Sequence, residues 1–284
     1  MTARLGFGRP KDITFTITNS TFVDGNSAVL GDGNPGATAR FAWPSGTQTT
    51  SVNVTIQASW STAIVPSTIA LLNCSLPAGT LVTFGLQRAG DSGYPYQVTT
   101  QRITARPNGD KVAVITLPDG LTPIVGAQWK ISNDVNGSAT IAASTMVDVG
   151  ELWVSQGTDV QIRPGGVSIE YDDPTSTNES ELYQQFAQRR TPRRILSILP
   201  IPRALQDVFG SAALDFETLL SNINRGARVL LVPVQKDAAG AYSTALVQRT
   251  AMLGSLAKNA AMKHLNLNWF DPQELLFKEI PIPT

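Results

Sequence analysis

One histidine and one cysteine occur in 284 residues, so metal and nucleophile chemistry have few places to reside. His264 lies in the run Met262-Lys263-His264-Leu265-Asn266-Leu267, where alternation predicts a strand with the two leucines on the opposite face. A catalytic histidine needs a nucleophile to deprotonate and a carboxylate to orient it, and the sequence holds no Gly-x-Ser-x-Gly elbow. His264 therefore reads as an ordinary surface or interface residue. Cys74, among Leu72, Ser75, Leu76 and Pro77, reads as a buried structural thiol, with no partner for a disulfide. A lone thiol suits a chain folded in a reducing cytoplasm. Carboxylates are the remaining option, because glycoside hydrolysis needs two of them across a cleft. Asp148 with Glu151, or Asp172 with Asp173, are the candidates, yet neither pair sits in a motif. The loop Gly31-Asp32-Gly33-Asn34-Pro35-Gly36 begins like a calcium loop but lacks its later carboxylates, and turn chemistry accounts for the same residues. No phosphate loop or dinucleotide fingerprint is present. The expectation is a chain without catalytic function, cofactor or metal.

Charge offers a different kind of chemistry. Lys plus Arg and Asp plus Glu number 22 each, so no long-range field draws in nucleic acid or an anionic membrane. The charges are nevertheless segregated: Glu170, Asp172 and Asp173 share a stretch without a base, while Arg189, Arg190, Arg193 and Arg194 fall within six residues. Unlike patches on one chain pair head to tail between copies, which closes rings, so these seven residues are predicted subunit-interface positions. Trp60, flanked by Ser59 and Ser61, is the candidate for a sugar-stacking tryptophan, although core is the favoured reading for it, whereas Trp129 alternates with Ile131 as core residues do.

The elements that must position these residues are mostly strands. Hydrophobic residues make up 42% of the chain and charged residues 15%, against roughly 25% charged in an average domain. At this length two domains are the default. From residue 13 to about 154, short β-type runs alternate with turn signals such as Asp24-Gly25, Asn34-Pro35-Gly36, Pro118-Asp119-Gly120 and Asn136-Gly137. Val52, Val54 and Ile56 define one buried strand face. About eight strands predict an antiparallel β-sandwich over residues 1–156. Residues 157–284 read as a β-rich α+β domain: Phe216, Leu219, Leu220 and Ile223 are at helical spacing, predicting a helix near 214–224 before a buried strand at 227–234. Residues 243–253 and 262–282 read as further strands. The start of the chain has no apolar run of the secretory type, and no apolar run approaches the ~20 residues of a membrane span.

Taken in order, Val54-Thr55-Ile56, Thr68-Ile69-Ala70-Leu71-Leu72, Leu76-Pro77-Ala78-Gly79-Thr80-Leu81 and Gln128-Trp129-Lys130-Ile131 followed by Val149-Gly150-Glu151-Leu152-Trp153-Val154 resemble the strands of a discoidin-like, galactose-binding-like β-sandwich of jelly-roll type. With the Arg-rich strand, the 216–223 helix and the final Leu275-Leu276-Phe277-Lys278-Glu279-Ile280, the chain resembles the distal-tail or baseplate proteins of tailed bacteriophages. The resemblance implies a virion protein made in the host cytoplasm: a homo-oligomeric ring, trimer or hexamer, linking tail tube to hub and receptor-binding proteins. It transfers no catalytic residue. The alternative from another class is a carbohydrate-binding adhesin module, with Trp60 as its glycan contact.

Overall fold

The structure is a computed structural model that describes residues 2–24, 27–172, 176–179, 185–188, 193–204, 216–224, 226–266 and 269–280. It is mainly β and divides into two compact units, both discontinuous in sequence. One comprises Gly6–Thr158 with Val234–Ala251; the other comprises Met1–Leu5, Asp159–Pro233 and Met252–Thr284.

The first unit is an antiparallel sandwich. Numbered in chain order, one sheet runs β3 (Phe22–Asp24), β4 (Ala39–Ala42), β13 (Met146–Ser155), β6 (Thr68–Cys74), β10 (Lys111–Thr116), β9 (Thr104–Ala105). The other runs β2 (Thr14–Thr18), β5 (Asn53–Ile64), β11 (Ile124–Val135), β7 (Thr80–Arg88), β8 (Tyr96–Arg102), with β12 (Ser138–Ala139) pairing β11. Alternation builds the core as expected: Val54, Ile56, Ala58 and Trp60 of β5 are buried, and Val52 packs against them. Ile131 and Trp129 of β11 meet Ile69 and Leu71 of the opposite sheet in one apolar cluster. The Trp129 indole N–H donates to the Ala70 carbonyl across it at 2.9 Å, so the polar end of a buried aromatic is satisfied.

Helix α2 (Thr244–Thr250) closes an edge of this sandwich. Ser243 caps it, its hydroxyl accepting from the Leu246 amide. The Gln248 side chain bonds both polar backbone groups of Val114 on β10, its oxygen accepting from the amide (2.9 Å) and its nitrogen donating to the carbonyl (2.8 Å). The carboxamide thereby imitates one residue of a neighbouring strand where short β9 has ended. Arg106 donates from Nε and Nη2 to the Gln248 carbonyl at 2.9 and 2.7 Å, serving the orphan acceptors of the helix end.

In the second unit six strands form a closed barrel in the order β1 (Thr2–Gly6), β14 (Gly157–Asp172), β17 (Arg193–Pro200), β23 (Leu275–Glu279), β20 (Met252–Leu256), β19 (Val229–Val232). Closure pairs each of the six strands with a neighbour on either side. Helix α1 (Phe216–Asn224) buries Phe216, Leu219, Leu220 and Ile223, the residues whose spacing predicts it. A small sheet joins β18 (Arg203–Ala204), β22 (Trp269–Pro272) and β21 (Met262–Asn266). Beyond the barrel stretch of β14 and β17, β15 (Ser176–Glu179) pairs β16 (Gln185–Gln188) in the same antiparallel sense.

Two expectations are corrected. A single cut between 156 and 157 gives way to two exchanges: β1 belongs to the barrel, where it fills the gap between β19 and β14, and residues 234–251 belong to the sandwich. Residues 243–253, read as one strand, are α2 followed by β20, because Val247 and Gln248 are buried on a single helical turn with Ser243 as its cap.

Candidate functional site

The predicted interface charges come first. The register of β14 against β17 sets Asp172 opposite Arg193, Tyr171 opposite Arg194 and Glu170 opposite Ile195. Among the described residues of the two charge runs, Asp172 and Arg193 are the acid and base set directly opposite each other. Asp172 Oδ2 also accepts from Lys278 Nζ at 2.7 Å. Arg194 is buried, at 5% exposure, and its Nε donates to Glu279 Oε1 at 3.0 Å while its backbone amide donates to Oε2 at 3.0 Å. Arg194 is therefore an internal ion-pair residue of the barrel rather than a surface contact, which corrects its assignment. Glu170 is exposed, beside Tyr171 at 63% and Ile169 at 40% exposure. Asp173, Arg189 and Arg190 lie outside the described residues. The partners Glu279 and Lys278 were not foreseen, because their strand is some eighty residues away in sequence.

Trp60 takes the core position and not the glycan contact. It is 6% exposed and its indole N–H donates to the Ile124 carbonyl at 3.1 Å, so it belongs to the sandwich core and offers no face to a sugar.

Of the carboxylate candidates, Asp148 pairs with Arg40 directly across β4 and β13, at 2.7 Å. Glu151 is fully buried. Its Oε2 accepts from the Gly33 amide at 2.7 Å, and its Oε1 lies in ionic contact with Arg9 Nη2 at 2.7 Å. Arg9 in turn stacks 4.6 Å from the Trp153 ring centroid. Burial pushes the Glu151 carboxyl up to about 8, with the Arg9 charge opposing, and burial likewise pulls the Arg9 guanidinium down. One carboxylate is tied at the surface and the other in the interior, so they do not flank a common cleft.

The Gly31–Gly36 loop does turn chemistry: Asp32 Oδ1 accepts from the Asn34 amide and Asn34 Oδ1 from the Gly36 amide. No cluster of three metal-ligating side chains occurs among the described residues. Burial raises the Cys74 thiol to about 12, which removes thiolate reactivity. His264 is exposed and rests against Phe270, ring centroids 4.9 Å apart.

A depression of about 270 Å³ opens on the sandwich, lined chiefly by Leu86, Arg88, Tyr96, Pro118, Leu121 and Ile124. β7 and β8 pair Leu86 with Tyr96, and two residues further Arg88 folds its guanidinium over the Tyr96 ring, 3.6 Å from carbon to centroid. Arg88 Nη1 also donates to the Tyr96 hydroxyl. Sequence reading missed this site because its polar and apolar parts come from two strands and the 118–124 loop, with no motif in any of them.

No family model matches the chain, and no curated protein matches it. Among solved structures it is similar to CBM32-1 from a family 31 glycoside hydrolase of Clostridium perfringens, at 10% identity and a TM-score of 0.33, over 52% of this chain and 97% of that one.

Proposed function

We propose that this chain is a structural virion protein of a tailed phage, a distal-tail or baseplate ring component joining tail tube to hub and receptor-binding proteins. The observation that carries the reading is the β14–β17 hairpin. β23 pairs β17 only over Ile195–Ile198, while β14 and β17 stay paired to Asp172 and Arg193, and between them in sequence β15 pairs β16. A two-stranded ribbon is marginally stable alone in water. Exposed Ile169 and Tyr171 at its base give it apolar surface to bury, and a neighbouring copy is the partner that a ring supplies.

Light scattering on the full chain, with negative-stain imaging, tests the reading: closed rings are expected, and a strict monomer at every concentration, absent from purified particles, sinks it. The carbohydrate-binding alternative loses Trp60, the residue it rested on.

A further inference from the structure

We infer that the Arg88–Tyr96 depression of the sandwich is a binding site for a small apolar carboxylate. Its walls are aliphatic, from Leu86, Pro118, Leu121 and Ile124, and the single charged group lining it is the Arg88 guanidinium. Among the described residues no carboxylate lies within ion-pair distance of the Arg88 side chain. The nearest acid in sequence, Asp91, is engaged by Oδ2 on the Arg88 backbone amide at 3.0 Å. Stacking on Tyr96 fixes the plane of the guanidinium and strips water from one face, while the donors not turned to the Tyr96 hydroxyl remain for a ligand. A fork held in this way matches a carboxylate with two parallel N–H···O bonds. The apolar walls take the rest of the ligand, and the volume, just below the roughly 300–1,000 Å³ of ordinary ligand sites, suits one ring or short side chain rather than an oligomer. Either a free acid or the C-terminal residue of a peptide presents this chemistry.

Calorimetric titration of the full chain with 4-phenylbutyrate, its neutral amide, the peptide acetyl-Ala-Ala-Leu with a free terminus, that peptide amidated, and glucuronate tests the site. Both free acids bind more tightly than their amides by about tenfold or more, the worth of charge-assisted hydrogen bonds. Arg88→Met erases that discrimination, and Arg88→Lys, which keeps the charge without the fork, retains part of it. The stronger of the two acids identifies the source as small molecule or chain terminus. Equal binding of acid and amide, unchanged affinity in Arg88→Met, binding of glucuronate alone, or no binding by any probe overturns the inference. Ring assembly is scored in the same samples and is independent of every one of these outcomes.

Discussion

Arg194 and Glu279 form a buried ion pair in the barrel, with the Arg194 backbone amide as a second donor to the same carboxylate. Removing one partner strands the other charge away from water, which typically costs about 3–5 kcal/mol, whereas replacing both by apolar residues is often close to neutral. Arg194→Met is accordingly expected to lower stability by roughly that amount in urea denaturation, and the double variant Arg194→Met, Glu279→Leu to recover part of it, the loss of the acceptor for the residue 194 amide keeping the rest. Equal loss in single and double variants would contradict the pairing.

Gln248→Ala removes both bonds to Val114 and leaves a backbone amide and carbonyl on β10 without partners. Two buried groups at about 1 kcal/mol each predict a loss of about 2 kcal/mol. Hydrogen exchange at the Val114 amide should accelerate more than at Val112, which retains its pairing with β6 and β9.

The Glu151 carboxyl gives a pH dependence of defined sign. Burial raises it from 4.5 to about 8, so between those values the folded chain holds a proton that the unfolded chain has released. Its contribution is fully present below pH 4.5, declines as pH rises, and is lost above about 8, amounting to roughly 3–5 kcal/mol. Glu151→Gln keeps an oxygen for the Gly33 amide and cannot titrate. The variant is expected to show a flatter midpoint between pH 5 and 8.5; an identical slope in both proteins would refute the assignment.

Trp60→Ala is a core deletion and should destabilise by about 3–5 kcal/mol. Trp60→Phe keeps most of the packing and loses the bond to the Ile124 carbonyl, for about 1 kcal/mol. If Trp60→Ala leaves thermal stability unchanged, the burial described above is wrong.

Gly254 on β20 stands where a Cβ would meet the Lys278 carbonyl oxygen at 2.6 Å, a backbone atom of the paired strand β23. Gly254→Ala should therefore disturb barrel closure and lower stability more than Gly109→Ala, which clears every neighbour and strains only its own positive φ of 85°.

What was legible in the sequence was whatever period and turn chemistry encode. Val52, Val54 and Ile56 announce a strand face, Phe216 to Ile223 a helix, and Trp129 its place in the core, because each is a local pattern tied to a fixed geometry. The seven-residue helix at Thr244 was hidden because two turns offer little periodicity, and its seating depends on Val114, 134 residues away. The pairing of Asp172 with Arg193 was hidden for a related reason: separation along a chain becomes opposition in space once the chain folds back on itself. Arg88 and Tyr96 carry no signature at all, since ordinary strand residues acquire a role only through the register that stacks them.

The discontinuous units also set an order of events during synthesis. Strand β1 is made well before its neighbours in the barrel, β14 and β19, which follow only after more than a hundred and more than two hundred further residues respectively. The sandwich strands are complete by Ser155, while their closing segment Val234–Ala251 emerges much later. The nascent chain must therefore carry β1 without its barrel neighbours until β14 and β19 are made, and an unsealed sandwich edge until Val234–Ala251 is made.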